Sequence, residues 1–134
     1  MLLQPKKTKY RKLQKGNLAK LNFRSNTLKF GAIGLKTTKS GTISSRQIEA
    51  ARQAIVRKIS RKGKLWIRVF PSVPITTKPT EVRMGKGKGT VSHWSVKVSA
   101  GQVLFEIYGI AQNIAIGALK TGGAKLPVNT VILN

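Results

Sequence analysis

Apolar residues recur at helical spacing in one long stretch of the chain. The members of this stripe are Ile48, Ala51, Ile55 and Ile59. Intervals of three and four place them on one face of a helix, and that face is expected to be buried. Ser44 followed by Gln47 forms a capping-box pattern, and Gly63 stands where a helix commonly ends. The pattern therefore predicts a helix over residues 45–62.

Alternating and β-branched stretches predict strands before and after this helix. Residues 27–35 predict a short strand, and residues 65–70 predict a central strand that ends at Pro71. Residues 36–41 are polar, and residues 71–79 are rich in turn-forming residues. Both are therefore expected to be connections without regular structure.

The second half of the chain contains the pattern of a β-hairpin. Residues 91–98 and 103–108 alternate, and residues 99–102 between them form a turn signal. A register that gives one apolar face pairs Val98 with Val103, Val96 with Phe105 and Trp94 with Ile107. Because a slip of one residue would bury the polar face, the sequence predicts this register for the hairpin.

The chain ends with a second helix and an edge strand in this interpretation. The apolar positions of the helix are Ile110, Ile114 and Leu119. It is expected over residues 110–122 and to end at the adjacent glycines Gly122 and Gly123. Residues 126–133 read as an extended segment, and Pro127 suits an edge strand because proline has no N–H for a ladder. Helices and strands mixed without βαβ regularity predict an α+β fold with a mixed or antiparallel sheet and two helices.

The excess of positive charge predicts a negatively charged partner. Among 134 residues there are 26 Lys and Arg and 3 acidic residues, which gives a net charge of +23. A field of this sign attracts polyanions such as nucleic acid. The length and the 40% hydrophobic content fit one domain with a core. We therefore divide the chain into an extended basic N-terminal arm, residues 1–24, and a single α+β domain, residues 25–134.

The arm and one face of the predicted helix carry cations with few acids to pair with them. The arm has little to bury, so it is expected to become ordered along phosphates. A solubilising tail and a solvated helix face are the alternative interpretations. The predicted phosphate-binding residues are Lys6, Lys7, Lys9, Arg11 and Lys12 of the arm and Arg46, Arg57 and Arg61 of the helix.

A glycine-rich basic segment follows the second connection. It consists of Arg83, Met84, Gly85, Lys86, Gly87, Lys88 and Gly89. The alternating glycines predict a loop whose backbone a partner can approach closely, and the cations favour a polyphosphate partner. On composition alone, a flexible hairpin tip with solvated lysines explains the segment equally well.

The residues needed for catalysis or for metal binding are scarce. The chain has one histidine, no cysteine and three carboxylates, so we predict no catalytic residues, no metal site and no cofactor. His93 with Ser92 or Ser95 would need Glu106 as an orienting acid, and a polar strand face explains these residues more simply. Gly117 and Gly122 have the spacing of a phosphate-binding loop but lack the Lys and Ser or Thr that must follow.

Two further features bear on partners. Arg68 lies between aromatic residues on its strand face, where it either stacks on a nucleic-acid base or covers the neighbouring rings. The mainly apolar stretch 107–119 is interrupted by polar residues and glycines, so no membrane partner is expected. The basic N-terminus lacks the apolar centre of a secretory signal and is interpreted as mature protein.

Several long motifs resemble the bacterial-type ribosomal protein sixteen of the large subunit, the L-sixteen family. The motifs are residues 46–52, 63–71, 74–76, 78–79 and 82–89, with shorter matches at 3–6, 9–12, 101–106 and 124–127. The resemblance implies a hammerhead-like α+β fold that binds large-subunit rRNA near the tRNA A site. It also implies that the loop of residues 83–89 reaches A-site tRNA, and that the protein joins late in assembly as a scaffold and not as an enzyme.

Departures from the family pattern bear on the compartment. The family usually has acids where this chain has Ser72 and Tyr108, and the last helix lacks the usual Glu and Arg pattern. These differences suit a divergent organelle-encoded member, with the mitochondrial matrix favoured and a plastid or the bacterial cytoplasm as alternatives. The expected partners are rRNA, A-site tRNA and neighbouring ribosomal proteins, without homo-oligomers. A free regulatory nucleic-acid-binding domain is the competing hypothesis.

Overall fold

The computed structural model describes residues 3–18 and 21–134. The remaining four positions, which include Lys20, belong to the predicted arm and lie outside the described residues. The described part contains seven strands and two helices. In chain order they are β1 (Ile33–Thr37), β2 (Gly41–Ser44), α1 (Ser45–Lys58), β3 (Lys64–Ile67), β4 (Val73–Thr77), β5 (Thr90–Val98), β6 (Val103–Tyr108), α2 (Gln112–Gly123) and β7 (Thr130–Leu133).

The strands form two antiparallel sheets. Sheet A has the order β3-β6-β1-β7, and sheet B has the order β2-β5-β4. One cluster of buried side chains joins both sheets to the two helices, with Phe105 and Leu35 from sheet A, Ile43 and Val98 from sheet B, and the stripe of α1. The predicted α+β class is confirmed.

The first helix begins as its sequence predicts. The Ser44 hydroxyl accepts a hydrogen bond from the Gln47 N–H at 3.3 Å, and the Gln47 side chain accepts one from the Ser44 N–H at 2.8 Å. This reciprocal pair satisfies backbone donors that the first turn cannot pair internally. The predicted end of the helix, at residue 62, lies four residues beyond the observed end. α1 stops at Lys58, and the chain turns away where Ser60 and Arg61 adopt positive φ angles of 50° and 60°.

The predicted hairpin of residues 91–98 with 103–108 is wrong. Its two strands exist as β5 and β6, but β5 lies between β2 and β4 in sheet B, and β6 lies between β3 and β1 in sheet A. Val98 pairs with Gly41 and Phe105 pairs with Leu35 and Ile67. Since each strand has both of its edges occupied by other partners, the short connection after Val98 carries the chain from one sheet to the other.

Other strand predictions need correction. β3 is an edge strand of sheet A and not the central one, a position that β6 and β1 share. The predicted strand 27–35 starts only at Ile33 and continues through part of the expected connection. The remainder of that connection contains the start of β2, and the turn-rich connection 71–79 contains β4. Pro74 is tolerated within β4 because this strand lies at the edge of sheet B. The predicted edge position of the last strand, β7, is correct.

The second helix buries Leu119 of the predicted stripe together with small residues that the sequence analysis did not single out. Ile114 is 49% exposed, whereas Ala115, Ala118 and Gly122 are buried. A Cβ atom at Gly122 would lie 2.5 Å from Cγ1 of Ile55 on α1. The two helices therefore approach each other so closely that only hydrogen fits at this position.

A buried carboxylate holds an irregular segment against sheet A. Glu106 on β6 has no exposed surface and forms an ion pair with Arg68. It also accepts hydrogen bonds from the N–H groups of Gly31 at 2.8 Å, Phe30 at 2.7 Å and Lys29 at 3.2 Å. Burial by itself would raise the pKa of Glu106, but the bonds from Gly31, Phe30 and Arg68 outweigh it and lower the pKa.

Substitution of Gly122 tests the close approach of the helices. Gly122→Ala is expected to lower the free energy of unfolding by about 1–3 kcal/mol, because Ile55 and the helix backbone must move. Gly117→Ala is the matched control on the same helix. Nothing lies within 4 Å of a Cβ atom there, so the gain in helix propensity should stabilise by about 0.5–1 kcal/mol. Urea unfolding followed by circular dichroism measures both, and equal effects would refute the tight contact.

The buried carboxylate predicts a specific dependence of stability on pH. Because the pKa of Glu106 is lowered by folding, the unfolded state binds the proton more tightly. The stabilisation is complete above the unfolded pKa of about 4.3 and is lost as the pH falls through the folded value. Glu106→Gln should remove this part of the pH dependence and destabilise the fold by about 3–5 kcal/mol at neutral pH, since Arg68 loses its partner.

Glu49→Gln is the control for this experiment. Its carboxylate pairs with Arg52 one turn along α1, near the surface, so the loss should be only about 0.2–0.5 kcal/mol. Unfolding curves across the acidic range compare the two variants with the unchanged protein. A Glu106→Gln protein with the same acid sensitivity as the unchanged protein would contradict the assignment.

Candidate nucleic-acid interface

The glycine-rich loop is the tip of the hairpin that β4 and β5 form. The last ladder pair joins Thr77 to Thr90, so residues 78–89 close the hairpin. A Cβ atom at Gly89 would overlap the Thr77 carbonyl group, which shows how tightly the strands converge at the base of the loop. The predicted loop therefore stands on a paired, three-stranded sheet. That base consists of β4 and β5 and not of the predicted partner β6.

The tip of the loop is fully open to its surroundings. Gly85, Lys86 and Gly87 have φ angles of 95°, 55° and 80°, a left-handed run in which only the glycines are unstrained. Met84 is 100% exposed. Nothing lies within 4 Å of a Cβ atom placed on either glycine, so the side-chain positions of both glycines face open space. The predicted loop residues Arg83, Met84, Gly85, Lys86, Gly87 and Lys88 are all exposed, and Gly89 is half-buried.

The arm is tied to this loop by reciprocal hydrogen bonds. The Lys12 ammonium donates to the Lys88 carbonyl at 2.8 Å, and the Lys88 ammonium donates to the Leu13 carbonyl at 2.5 Å. A third lysine, Lys78, donates to the Gly85 carbonyl at 2.6 Å. These bonds use carbonyls as acceptors and bring cations from the arm and from the hairpin together. The sequence did not identify Lys78, because the turn that brings it back to Gly85 carries no local signal.

The arm continues along the side of sheet B. A cavity of about 470 Å³ separates it from β5 and is lined by Thr8, Arg11, Lys12, Thr90, Val91 and Trp94. The Lys9 ammonium lies 5.6 Å from the centre of the Tyr10 ring. The predicted arm residues Lys6, Lys7, Lys9, Arg11 and Lys12 are all exposed. The structure thus brings Arg11 and Lys12 of the arm next to the base of the glycine-rich loop.

The helix arginines do not form one cluster. Arg46 lies in the first turn of α1 and lines a cavity with Ser92 and His93. Arg57 lies in the last turn, about 16 Å away along the axis at 1.5 Å per residue, and Arg61 follows just after the helix ends. There they line a shallow cavity of about 250 Å³ together with Arg52. These three arginines are exposed, as the sequence predicted, but Arg46 lies at one place on the surface and Arg57 and Arg61 lie at another.

The acids are placed so that they leave these cations unpaired. In residues 3–18 and 21–134 the ion pairs are Glu49 with Arg52 and Glu106 with Arg68. Arg52 holds the pKa of Glu49 below its ordinary value, and Glu49 in turn raises the pKa of Arg52. Two of the three acids are therefore engaged by arginines outside the predicted sites. The positive field of the arm, the loop and the ends of α1 remains available for an outside polyanion.

The polar residues considered for catalysis are separated. His93 Nδ1 lies 3.4 Å from the Ser92 hydroxyl, but Glu106 belongs to the other sheet and is engaged by Arg68 and three N–H groups. The orienting acid of a nucleophilic triad is thus absent from His93. Among the described residues no group of His, Cys, Asp or Glu could hold a metal ion, and no helix is long and apolar enough to cross a membrane.

The interpretation of Arg68 as a structural residue is correct, although the ring it covers is a different one. Its guanidinium lies 5.4 Å from the centre of the Phe30 ring, and not over the aromatic residues next to it in the chain. Arg68 also pairs with Glu106. Phe30 was missed as a partner, because it reaches Arg68 only through the irregular segment before β1.

These features define a small α+β protein with an uncompensated basic surface on an arm, a helix and a hairpin tip. Comparison with known proteins makes the class specific. The chain belongs to the family described as ribosomal protein L16p/L10e, which matches residues 5–133.

Bacterial relatives cover nearly the whole chain. The large ribosomal subunit protein uL16 of Halorhodospira halophila is 55% identical over 99% of this chain and 97% of its own length. Its counterpart in Chelativorans sp. is 54% identical over 96% of this chain and 94% of its own length. The uL16 protein of Orientia tsutsugamushi is 53% identical over 98% and 97%. The family resemblance seen in the motifs is confirmed.

Proposed function

We propose that this protein is a structural constituent of the large ribosomal subunit that binds large-subunit rRNA near the A site and contacts A-site tRNA with its glycine-rich loop. Membership of the L16p/L10e family supports the ribosomal role. The structure of the loop is the observation that supports separate roles for the loop, which contacts tRNA, and for the arm and α1, which anchor the protein on rRNA. The loop is an exposed basic tip on a paired hairpin, and lysine bonds brace it against the arm.

The anchoring surface is assigned to the arm and to α1. Residues 1–24 act as the rRNA-binding arm, and residues 25–134 form the single domain that presents the loop. The rRNA-binding residues are Lys6, Lys7, Lys9, Arg11 and Lys12 of the arm, Arg46 and Arg57 of α1, and Arg61 just after the helix. Their exposure without acid partners supports contact with phosphates, which position a protein on nucleic acid.

The tip is assigned to tRNA. Residues Arg83 to Gly89 contact A-site tRNA, and Lys86 is placed to reach a phosphate because its exposed side chain lies at the apex of the left-handed run. The open space around Gly85 and Gly87 leaves room for a nucleic-acid backbone. This function is one of positioning and subunit assembly, in a single copy beside neighbouring ribosomal proteins, and not catalysis.

The compartment is a separate proposal. The relatives compared above are bacterial, and the chain also fits the bacterial cytoplasm. The departures at Ser72 and Tyr108 motivate the prediction of an organelle, with the mitochondrial matrix first and a plastid second. Immunodetection of the protein with mitochondrial ribosomes in fractionated cells would decide among these compartments.

The double variant Lys86→Ala with Lys88→Ala tests the tRNA role. A hydrogen bond to a charged group contributes about 1.5–3 kcal/mol, so A-site tRNA affinity should fall about tenfold or more. Binding of the protein to large subunits should change less, because the variant removes one bond between loop and arm but leaves the cations of the arm and of α1 in place. The matched control is Lys120→Ala with Lys125→Ala, which removes the same charge from exposed positions on and just after α2.

Sedimentation with large subunits and filter binding of A-site tRNA measure the two effects. Equal loss of both would contradict the division between loop and anchor. A protein that sediments alone, while subunits lacking it are complete and active, would disprove the ribosomal role and favour a free nucleic-acid-binding domain.

The dependence of rRNA affinity on salt tests the anchor. Each neutralised phosphate contributes about 0.7–0.9 to the slope of log affinity against log salt. Arg57→Gln with Arg61→Gln should therefore lower the slope by about 1.5 in fluorescence anisotropy titrations. A nearly flat salt dependence of the unchanged protein would refute an interface dominated by phosphates.

A further inference from the structure

The face of sheet A that points away from the helices carries aromatic residues. Leu65 on β3 and its ladder partner Ile107 on β6 pack into the core. Successive side chains of a strand alternate between faces, so Lys64, Trp66 and Tyr108 lie on the opposite face. Lys64 and Tyr108 are direct ladder partners, which places Trp66 diagonally next to Tyr108.

Phe30 completes this aromatic surface. Its ring stacks on Trp66 with 6.0 Å between centres and 21° between planes. The Lys64 ammonium lies 5.2 Å from the centre of the Trp66 ring, and the Arg68 guanidinium lies against Phe30. Phe30 is 56% exposed and Tyr108 is 60% exposed, so both rings present open surface next to a half-buried Trp66.

Backbone hydrogen bonds to Glu106 fix the position of Phe30. Its N–H group donates to the buried Glu106 carboxylate, and so do the N–H groups on either side of it. The segment thus lies against sheet A without burying the Phe30 ring in the core. A half-exposed aromatic ring held by its backbone is pre-organised for a flat partner and loses little freedom when that partner binds.

The charge around the rings selects the partner. Glu106, the acid of this face, is buried and paired with Arg68. The ends of the neighbouring side chains Lys29 and Lys64 are cationic, and both residues are exposed. Aromatic faces combined with unpaired cations suit a nucleotide, which offers a base to stack and a phosphate to neutralise. An apolar protein segment would leave these cations without partners.

We propose that Phe30, Trp66 and Tyr108 form a stacking platform for an unpaired RNA nucleotide, with Lys64 contacting its phosphate. This site uses none of the residues assigned above to rRNA phosphates or to tRNA. The proposal rests on the assignment of the protein to rRNA, and it adds a contact to a base where the other surfaces contact phosphates.

Fluorescence of Trp66 tests the platform. In a Trp94→Phe protein the remaining emission comes from Trp66 alone. A short single-stranded oligoadenylate RNA should change this emission in a saturable way and at a lower concentration than inorganic polyphosphate of matched charge, which can contact Lys64 but has no base to stack. Phe30→Ala and Tyr108→Ala in this background should each weaken the titration about 5- to 150-fold, which corresponds to about 1–3 kcal/mol of stacking per base.

Phe23→Ala is the matched control. Phe23 is also exposed, at 76%, but it lies near the other end of β6, where the Asn22 N–H bonds to Ala100 and the Ser25 carbonyl accepts from Val103. This substitution should leave the Trp66 titration unchanged. An equal response to polyphosphate, or equal weakening by Phe23→Ala, would overturn the platform and leave only non-specific attraction.

A photocrosslinking amino acid at the position of Tyr108 extends the test to the assembled subunit. Crosslinks to rRNA are expected, and crosslinks to a ribosomal protein alone would show that a protein covers this face instead. The outcomes separate the two proposals. If oligoadenylate does not change the Trp66 emission of the Trp94→Phe protein, although this protein still binds rRNA, the platform alone is refuted. If the unchanged protein does not bind rRNA at all, the proposed function is refuted.

Discussion

The carboxylate of Glu106 lies at the centre of a sheet in a protein with 26 basic residues and two other acids. A buried charge is tolerated only when it is paired and fully hydrogen-bonded, and Arg68 and the N–H groups of residues 29–31 meet this condition. This single group therefore fixes an irregular segment against sheet A and orients Arg68. The aromatic surface around Phe30 follows from it.

The surplus of positive charge sets the other constraint. Glu49 and Glu106 are engaged by Arg52 and Arg68, so Glu81 is the one remaining acid to offset the many cations of the arm, the loop and the ends of α1. Each of these surfaces stands on a firm support: a capped helix, a hairpin closed at Thr77 and Thr90, or lysine bonds between arm and loop. The fold thus holds a set of cations that repel one another and makes them available to a polyanion.

Local signals in the sequence were sufficient where the interaction is local. The capping box of Ser44 and Gln47 and the buried stripe of α1 were predicted because their partners are within a few residues. The strands β5 and β6 were found by alternation, but their pairing was not. Alternation states which side chains are buried, and it is satisfied equally by a hairpin and by two strands in different sheets. The contact between the second helix and α1 was missed for a related reason, since it requires Gly122 and not a large apolar residue opposite Ile55.

The sequence by itself determined the α+β class, the family, the basic surfaces and the identity of the loop, because composition, motif spacing and short-range periodicity are written along the chain. Tertiary structure alone decided that β5 and β6 belong to different sheets, that Lys12, Lys78 and Lys88 brace the loop, and that Phe30 meets Trp66. Some of these contacts join residues that are far apart in the chain. Others involve residues in irregular segments, where no periodic pattern indicates a partner. They depend on which edges and faces remain free after the core has formed, and no local pattern encodes that competition.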